Sequence, residues 1–195
     1  MKTRLSRRAA LVTGASGVIG KTIARKLAAE TGFAVVMVGR TPEKIEAAAG
    51  EVRRMTGNDL VRAAVADLSR PESIRALADG WEGPLHVLVN NASAVPLRRV
   101  ENSEGREMQF AVNVLGYMRM IRAFAGRLAD GAAESGMWSR IVNVASYWAG
   151  DLDVNDLEFR RRPYSAGTAY RQSKQAERSE EHTSELQSRQ VCSYA

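Results

Sequence analysis

Five short apolar runs, at 9–12, 34–38, 61–66, 85–89 and 140–144, alternate with longer amphipathic segments along this chain. Runs of this length are strands, and their near-continuous apolar character is that of strands buried on both faces. The alternation predicts an α/β fold in which helices cover a parallel sheet. The helices fall at about 18–30, 42–56, 71–80, 103–133 and 167–177. Thr41-Pro42-Glu43 supplies a cap, a first-turn proline and a first-turn acid, and Ser69-Arg70-Pro71-Glu72 is a similar start signal. Residues 150–167 read as a long polar, charged loop.

A chain of 195 residues suits one domain with a sizeable core. Its net charge of +6 would suit a nucleic acid, but the arginines are scattered and no basic helix with interleaved aromatics occurs, so no nucleic acid partner is expected. Cys192 is the only cysteine and lies in the tail, where one of the two histidines also lies, leaving His86 alone. Neither a disulfide framework nor a metal centre is expected. No apolar run approaches a membrane span. Ser6-Arg7-Arg8 faintly resembles a twin-arginine export signal, but the apolar run behind it leads straight into Thr13-Gly14 and reads as a first strand. A cytoplasmic protein is expected.

Thr13-Gly14-Ala15-Ser16-Gly17-Val18-Ile19-Gly20 joins the first strand to the first helix. Glycines there let the backbone turn sharply and approach a pyrophosphate, whose charge the helix N-terminus favours. Gly14, Ser16, Gly17, Ile19 and Gly20 are the candidate contacts. The second strand ends in Val38-Gly39-Arg40-Thr41. No acid between Phe33 and Pro42 would repel a 2′-phosphate, and Arg40 can pair with one. NADP is therefore expected in preference to NAD.

Tyr170-Arg171-Gln172-Ser173-Lys174 sets a phenol and an ammonium one helical turn apart on one face. Asn90-Asn91-Ala92-Ser93 follows the fourth run, and Ser146 ends the fifth. In this order these features resemble the short-chain dehydrogenase/reductase family. The resemblance implies a Rossmann-type, doubly wound parallel sheet and hydride transfer between a nicotinamide and a small-molecule alcohol or carbonyl. It implies adenine contacts at Asp67 and Leu68, and cofactor support from Asn91 and Ala92, with Ser93 in place of the family's usual glycine. It implies catalytic roles for Asn113, Ser146, Tyr170 and Lys174, the last two also touching the cofactor. A phenol with an ordinary pKa of about 10 is a useful acid but a poor base at neutral pH. Lys174 beside it would favour the phenolate and lower that value, while Ser146 would polarise the reacting oxygen. The 156–176 segment, with its Tyr-x-Gln-Ser-Lys run, is similar to the retinol-dehydrogenase-like branch. The spacing of Gly14, Gly17 and Gly20 instead matches the extended, epimerase-like branch.

Residues 178–188 match the translation of a widely used sequencing-library adapter. The expected division is therefore a dinucleotide-binding domain over 1–177 and a non-native tail over 178–195. On this reading the parent protein is longer, a monomer or homo-oligomer, and its sheet would continue past the five strands, ordered 3-2-1-4-5, that this chain encodes. The fifth strand is then an exposed edge, and the chain itself is expected to be poorly soluble and inactive. A sugar epimerase, a non-catalytic dinucleotide sensor and an inactive fragment stand as alternatives.

Overall fold

The computed structural model describes residues 8–30 and 33–191, the last thirteen of these in backbone only. Ser6, Arg7 and Cys192, weighed above, lie outside the described residues. The described chain forms two compact units, one ending at Ala92 and resuming over Gly116–Val144, the other comprising Ser93–Leu115 and the residues from Ala145.

The first unit is a parallel sheet of β1 (Arg8–Thr13), β2 (Phe33–Gly39), β3 (Val61–Val65), β4 (Val87–Asn90) and β5 (Arg140–Asn143). Its order is β3-β2-β1-β4-β5, a Rossmann-type arrangement. Helices α1 (Val18–Ala29), α2 (Pro42–Thr56), α3 (Pro71–Asp79) and α4 (Gly116–Ser135) make the crossovers. The connections from β1 run outward through β2 to β3, and those through β4 to β5 run the other way. Right-handed crossovers then put α1 and α2 on one face and α3 and α4 on the other.

Ala24 and Ala28 of α1, with Ile45, Ala49 and Val52 of α2, pack on Ala10, Val12, Val35 and Met37 of the sheet. The small α1 residues let that helix approach the strands closely. On the opposite side Trp81 and Phe124 meet edge-to-face, with ring centroids 5.4 Å apart. A side chain at Gly131 of α4 would run into the carbonyl of Leu85, so only glycine fits this approach.

Several boundaries move for identifiable reasons. The fourth strand starts at Val87 rather than Leu85 because the Leu85 amide donates to the carbonyl of Arg127 at 2.8 Å. Burial is not continuous at the sheet's edges. Val65 of β3 is 52% exposed, and Ile141 and Val142 of β5 are 44% and 43% exposed. Thr41 holds the expected cap position of α2 without a side-chain cap bond, and Arg70, not Ser69, caps α3.

In the second unit the expected helix from 103 is replaced at its start by a turn. Asn102 Oδ1 accepts from the Glu104 and Arg106 amides, Gly105 has φ 69°, and Glu101 bridges Glu107. A π-helical segment, Phe110–Leu115, follows. Helix α5 runs over Ala166–Val191 and continues well past Glu177, since the Glu, Gln, Leu and Arg of 178–191 are good helix formers. Residues 151–165 form the expected loop without helix or strand. No described helix is long and apolar enough to cross a membrane.

His86, 5% exposed, precedes β4 and accepts the Ala9 amide proton on Nδ1 at 3.0 Å. Burial pulls the imidazole below its ordinary 6.5; Glu134 works against this and Arg8 with it. The unfolded chain therefore binds more protons just below pH 6.5, so stability is full above that pH and falls as pH drops through it. Unfolding midpoints should fall from about pH 8 to about pH 5.5. His86→Gln, which keeps an acceptor for Ala9, should flatten the slope. An unchanged slope would exclude His86 as its source.

Candidate functional site

In the first unit, the ends of β1 and β4 meet where the strand order reverses, the position at which open α/β sheets bind ligands. Thr13 Oγ1 donates to the carbonyl of Val89 at 3.2 Å and accepts from the amides of Asn91 and Ala92 at 2.9 and 3.1 Å. Asn91 Nδ2 donates to the carbonyls of Thr13 and Gly14 at 2.9 and 3.3 Å. This clamp explains two of the glycines. A Cβ on Gly14, which has φ 63°, would stand 2.7 Å from Ala92 Cα. One on Gly20 would lie 2.5 Å from the Gly14 carbonyl and 2.6 Å from Asn91 Nδ2.

Gly17 is the N-cap of α1, with no side-chain cap bond and no acid in the first turn. Ser16, Gly17, Val18 and Ile19 are exposed. The first turn thus presents its amides uncapped by any side chain, which suits an anion.

Arg40, just past β2, is exposed. The Asp67 carboxylate is engaged locally, accepting from the Ser69 amide and hydroxyl at 2.9 and 2.7 Å. The Leu68 side chain is buried in the core, leaving its backbone as the part that can meet a ligand. Beyond the predicted residues, Asn90 Nδ2 donates to Asn143 Oδ1 at 2.9 Å, joining the ends of β4 and β5.

In the second unit, Asn113 sits fully buried in the π-helical segment. Its Oδ1 accepts from the Ala94 amide at 2.9 Å and the Ser93 hydroxyl at 3.3 Å, and its Nδ2 donates to Ser173 Oγ at 3.0 Å. Ser93, the departure from the family pattern, is thus accommodated by bonding Asn113. Ser173 Oγ donates to the Tyr170 carbonyl at 2.8 Å, so Asn113 is tied to the turn of α5 that carries Tyr170 and Lys174. Tyr170 lines an open cleft of about 520 Å³ together with Val95, Trp148, Asp151, Thr168 and Arg171. Lys174 is 2% exposed, and its Nζ lies 5.9 Å from the Tyr170 ring centroid. Ser146 Oγ accepts the Trp148 amide proton at 3.1 Å.

Sequence reasoning missed several residues here. Lys174 Nζ also donates to both carboxylate oxygens of the fully buried Glu177, at 2.7 and 3.1 Å. Opposite charges three apart on a helix could have signalled this pair. Gln172 Nε2 donates to the Leu157 carbonyl at 2.8 Å, while its Oε1 accepts from the Asp153 amide and from Arg162. Burial opposes ionisation of Asp156. The amides of Arg160, Arg161 and Arg162, with the Arg162 guanidinium, outweigh it and hold the carboxyl below its usual range. Glu158 takes Arg106 at 2.8 Å and the Glu107 amide at 3.0 Å. The loop is therefore fastened both to the turn ahead of the π-helical segment and to α5.

Comparison with known proteins identifies the family. Residues 8–179 match the short chain dehydrogenase family. A probable oxidoreductase of Streptomyces antibioticus is 37% identical over 177 residues, 89% of this chain and 57% of that protein. Human retinol dehydrogenase 11 is 38% identical over 171 residues, 85% of this chain and 52% of that protein. The chain spans about half the length of these curated relatives. A metagenomic short-chain oxidoreductase solved in complex with NADP superposes with a TM-score of 0.73 at 31% identity, covering 95% of this chain and 78% of that one. By sequence and by fold, the chain belongs to the short-chain dehydrogenase/reductase family of oxidoreductases.

Proposed function

We propose that the protein is an NADP-dependent oxidoreductase that interconverts an alcohol and a carbonyl, with Tyr170 as general acid/base. The observation that carries this reading is the arrangement on α5. Tyr170 borders an open cleft, and one turn on the buried Lys174 holds its ammonium 5.9 Å from the ring centroid.

The residues of the first unit fit a dinucleotide: a backbone pared to glycine at Gly14 and Gly20, and a helix start without a side-chain cap. Ser16, Gly17 and Ile19 would meet the pyrophosphate, Asp67 and Leu68 the adenine, and Arg40 the 2′-phosphate. Asn91 and Ala92 would support the loop from behind. When bound, the nicotinamide supplies the hydride.

The chain's own groups handle the proton and the oxygen. Tyr170 Oη gives its proton to the oxygen of the nascent alkoxide, or takes it from the alcohol in the reverse direction. Lys174 would bind the ribose. Ser146, which accepts from Trp148 through its oxygen, keeps its own hydroxyl proton to donate to the reacting oxygen. Asn113 fixes the turn that holds Tyr170 and Lys174.

Retinol dehydrogenases among the relatives favour a lipophilic small-molecule substrate. A cytoplasmic enzyme, monomeric or homo-oligomeric, with residues 1–177 as its dinucleotide-binding domain, fits this reading.

Two experiments test it. The full-length protein should bind NADPH more tightly than NADH, and Arg40→Ala should erase most of the difference. A charge-assisted phosphate contact contributes roughly 1.5–3 kcal/mol, about tenfold to a hundredfold in affinity. Equal dissociation constants for the two cofactors in the unsubstituted protein would sink the NADP preference. Separately, Tyr170→Phe should lower carbonyl reduction by about a hundredfold to ten-thousandfold while leaving NADPH binding intact, and Lys174→Ala should damage both. Near-normal turnover by Tyr170→Phe would assign the acid elsewhere.

A further inference from the structure

The cleft beside Tyr170 is lined by apolar groups, Val95 and Trp148, and by two opposite charges, Asp151 and Arg171. These charges face each other: Arg171 Nε lies 3.0 Å from Asp151 Oδ2, and both side chains are about half exposed, at 45% and 54%. The backbone holds the contact in place. The Gly150 amide donates to the Arg171 carbonyl at 3.1 Å, and a Cβ on Gly150 would stand 3.3 Å from Arg171 Nη2. Asp151 itself adopts φ 57°, a conformation few side chains favour. The turn thus brings the carboxylate to the guanidinium by shape as well as by attraction.

The loop's other carboxylates are matched elsewhere, Asp153 and Asp156 with Arg162, and Glu158 with Arg106 and Arg160. Asp151 and Arg171 are the charged residues of the cleft wall. Each screens the other, so the wall offers an incoming molecule no net charge.

We propose that Asp151 and Arg171 are a specificity-determining pair that restricts this cleft to uncharged alcohols and carbonyls, because each masks the charge of the other. The inference rests on the hydride-transfer reading above and adds the substrate's charge class to it. Being half exposed, the pair contributes little to stability, so removing one member leaves the other available to a ligand. A substrate charge reaching the unmasked partner through a partly screened site gains about tenfold in affinity.

The test compares benzaldehyde, para-carboxybenzaldehyde and para-trimethylammoniobenzaldehyde as substrates with NADPH. Asp151→Asn suits the position because asparagine tolerates a positive φ. It should raise the kcat/KM ratio of the carboxylate over the neutral aldehyde about tenfold. Arg171→Gln should instead raise the ratio for the cationic aldehyde. A carboxylate ratio within about twofold of the unsubstituted protein in Asp151→Asn, or no cationic gain in Arg171→Gln, overturns the proposal. Quenching of Trp148 fluorescence, identified as the signal lost in Trp148→Phe, gives binding ratios without turnover. Absence of turnover in every protein would defeat the hydride-transfer reading, and the quenching ratios would then decide this inference alone. No quenching by any of the three aldehydes would overturn it too.

Discussion

The clamp of Asn91 and Thr13 sets the shape of the first unit's ligand-facing end. Asn91 bonds the carbonyls of Thr13 and Gly14, and Thr13 returns the contact to the amides of Asn91 and Ala92. Without that amide the Thr13 carbonyl would lose a partner and the Gly14 carbonyl would keep only the Gly17 amide. The demand for glycine at Gly14 and Gly20 follows from the clamp, since a Cβ at either would strike Ala92, the Gly14 carbonyl or Asn91 itself. The same glycines leave the start of α1 open. A packing requirement and a binding requirement thus coincide on the same residues.

A second amide plays the matching role in the other unit. Asn113 joins the π-helical segment to α5 through Ser173, which in turn bonds the carbonyl of Tyr170. Gln172 fastens the loop of 151–165 to the opposite side of the same turn. Tyr170 and Lys174 therefore stand on a stretch of helix held by hydrogen bonds from Asn113 and from the loop. The Lys174–Glu177 pair is buried as well, and breaking such a buried pair by removing one member commonly costs about 3–5 kcal/mol.

The sheet was legible because its central strands, β1, β2 and β4, are largely buried apolar runs alternating with helices, while their order was implied by the family resemblance. The exposed edge at the fifth strand was expected as well, and Ile141 and Val142 are 44% and 43% exposed there, whereas the exposure of Val65 in β3 was not expected. The glycine loop and the Tyr170–Lys174 spacing were legible because each encodes a local geometry. The turn at 101–107 was hidden inside a stretch that otherwise reads as helix, although Asn102 and Gly105 carry its signal. The loop's fastenings were out of reach for a different reason. Glu158 meets Arg106 and the Glu107 amide, and Gln172 meets Leu157, across sequence separations that no periodicity reports. Asp151 and Arg171 likewise became a pair only once the turn at Gly150 was in place.

The central claim, that this fold moves a hydride between a nicotinamide and a carbonyl carbon, is tested most directly with a deuterium label. NADPH carrying deuterium at the transferable position of its nicotinamide is supplied with an aldehyde, and the alcohol is analysed by mass spectrometry. The label should appear on the carbinol carbon of the product, with none drawn there from deuterated water in the complementary experiment. An alcohol whose carbinol hydrogen comes from solvent, or NADPH that binds tightly but never transfers its label to any carbonyl offered, would contradict the claim.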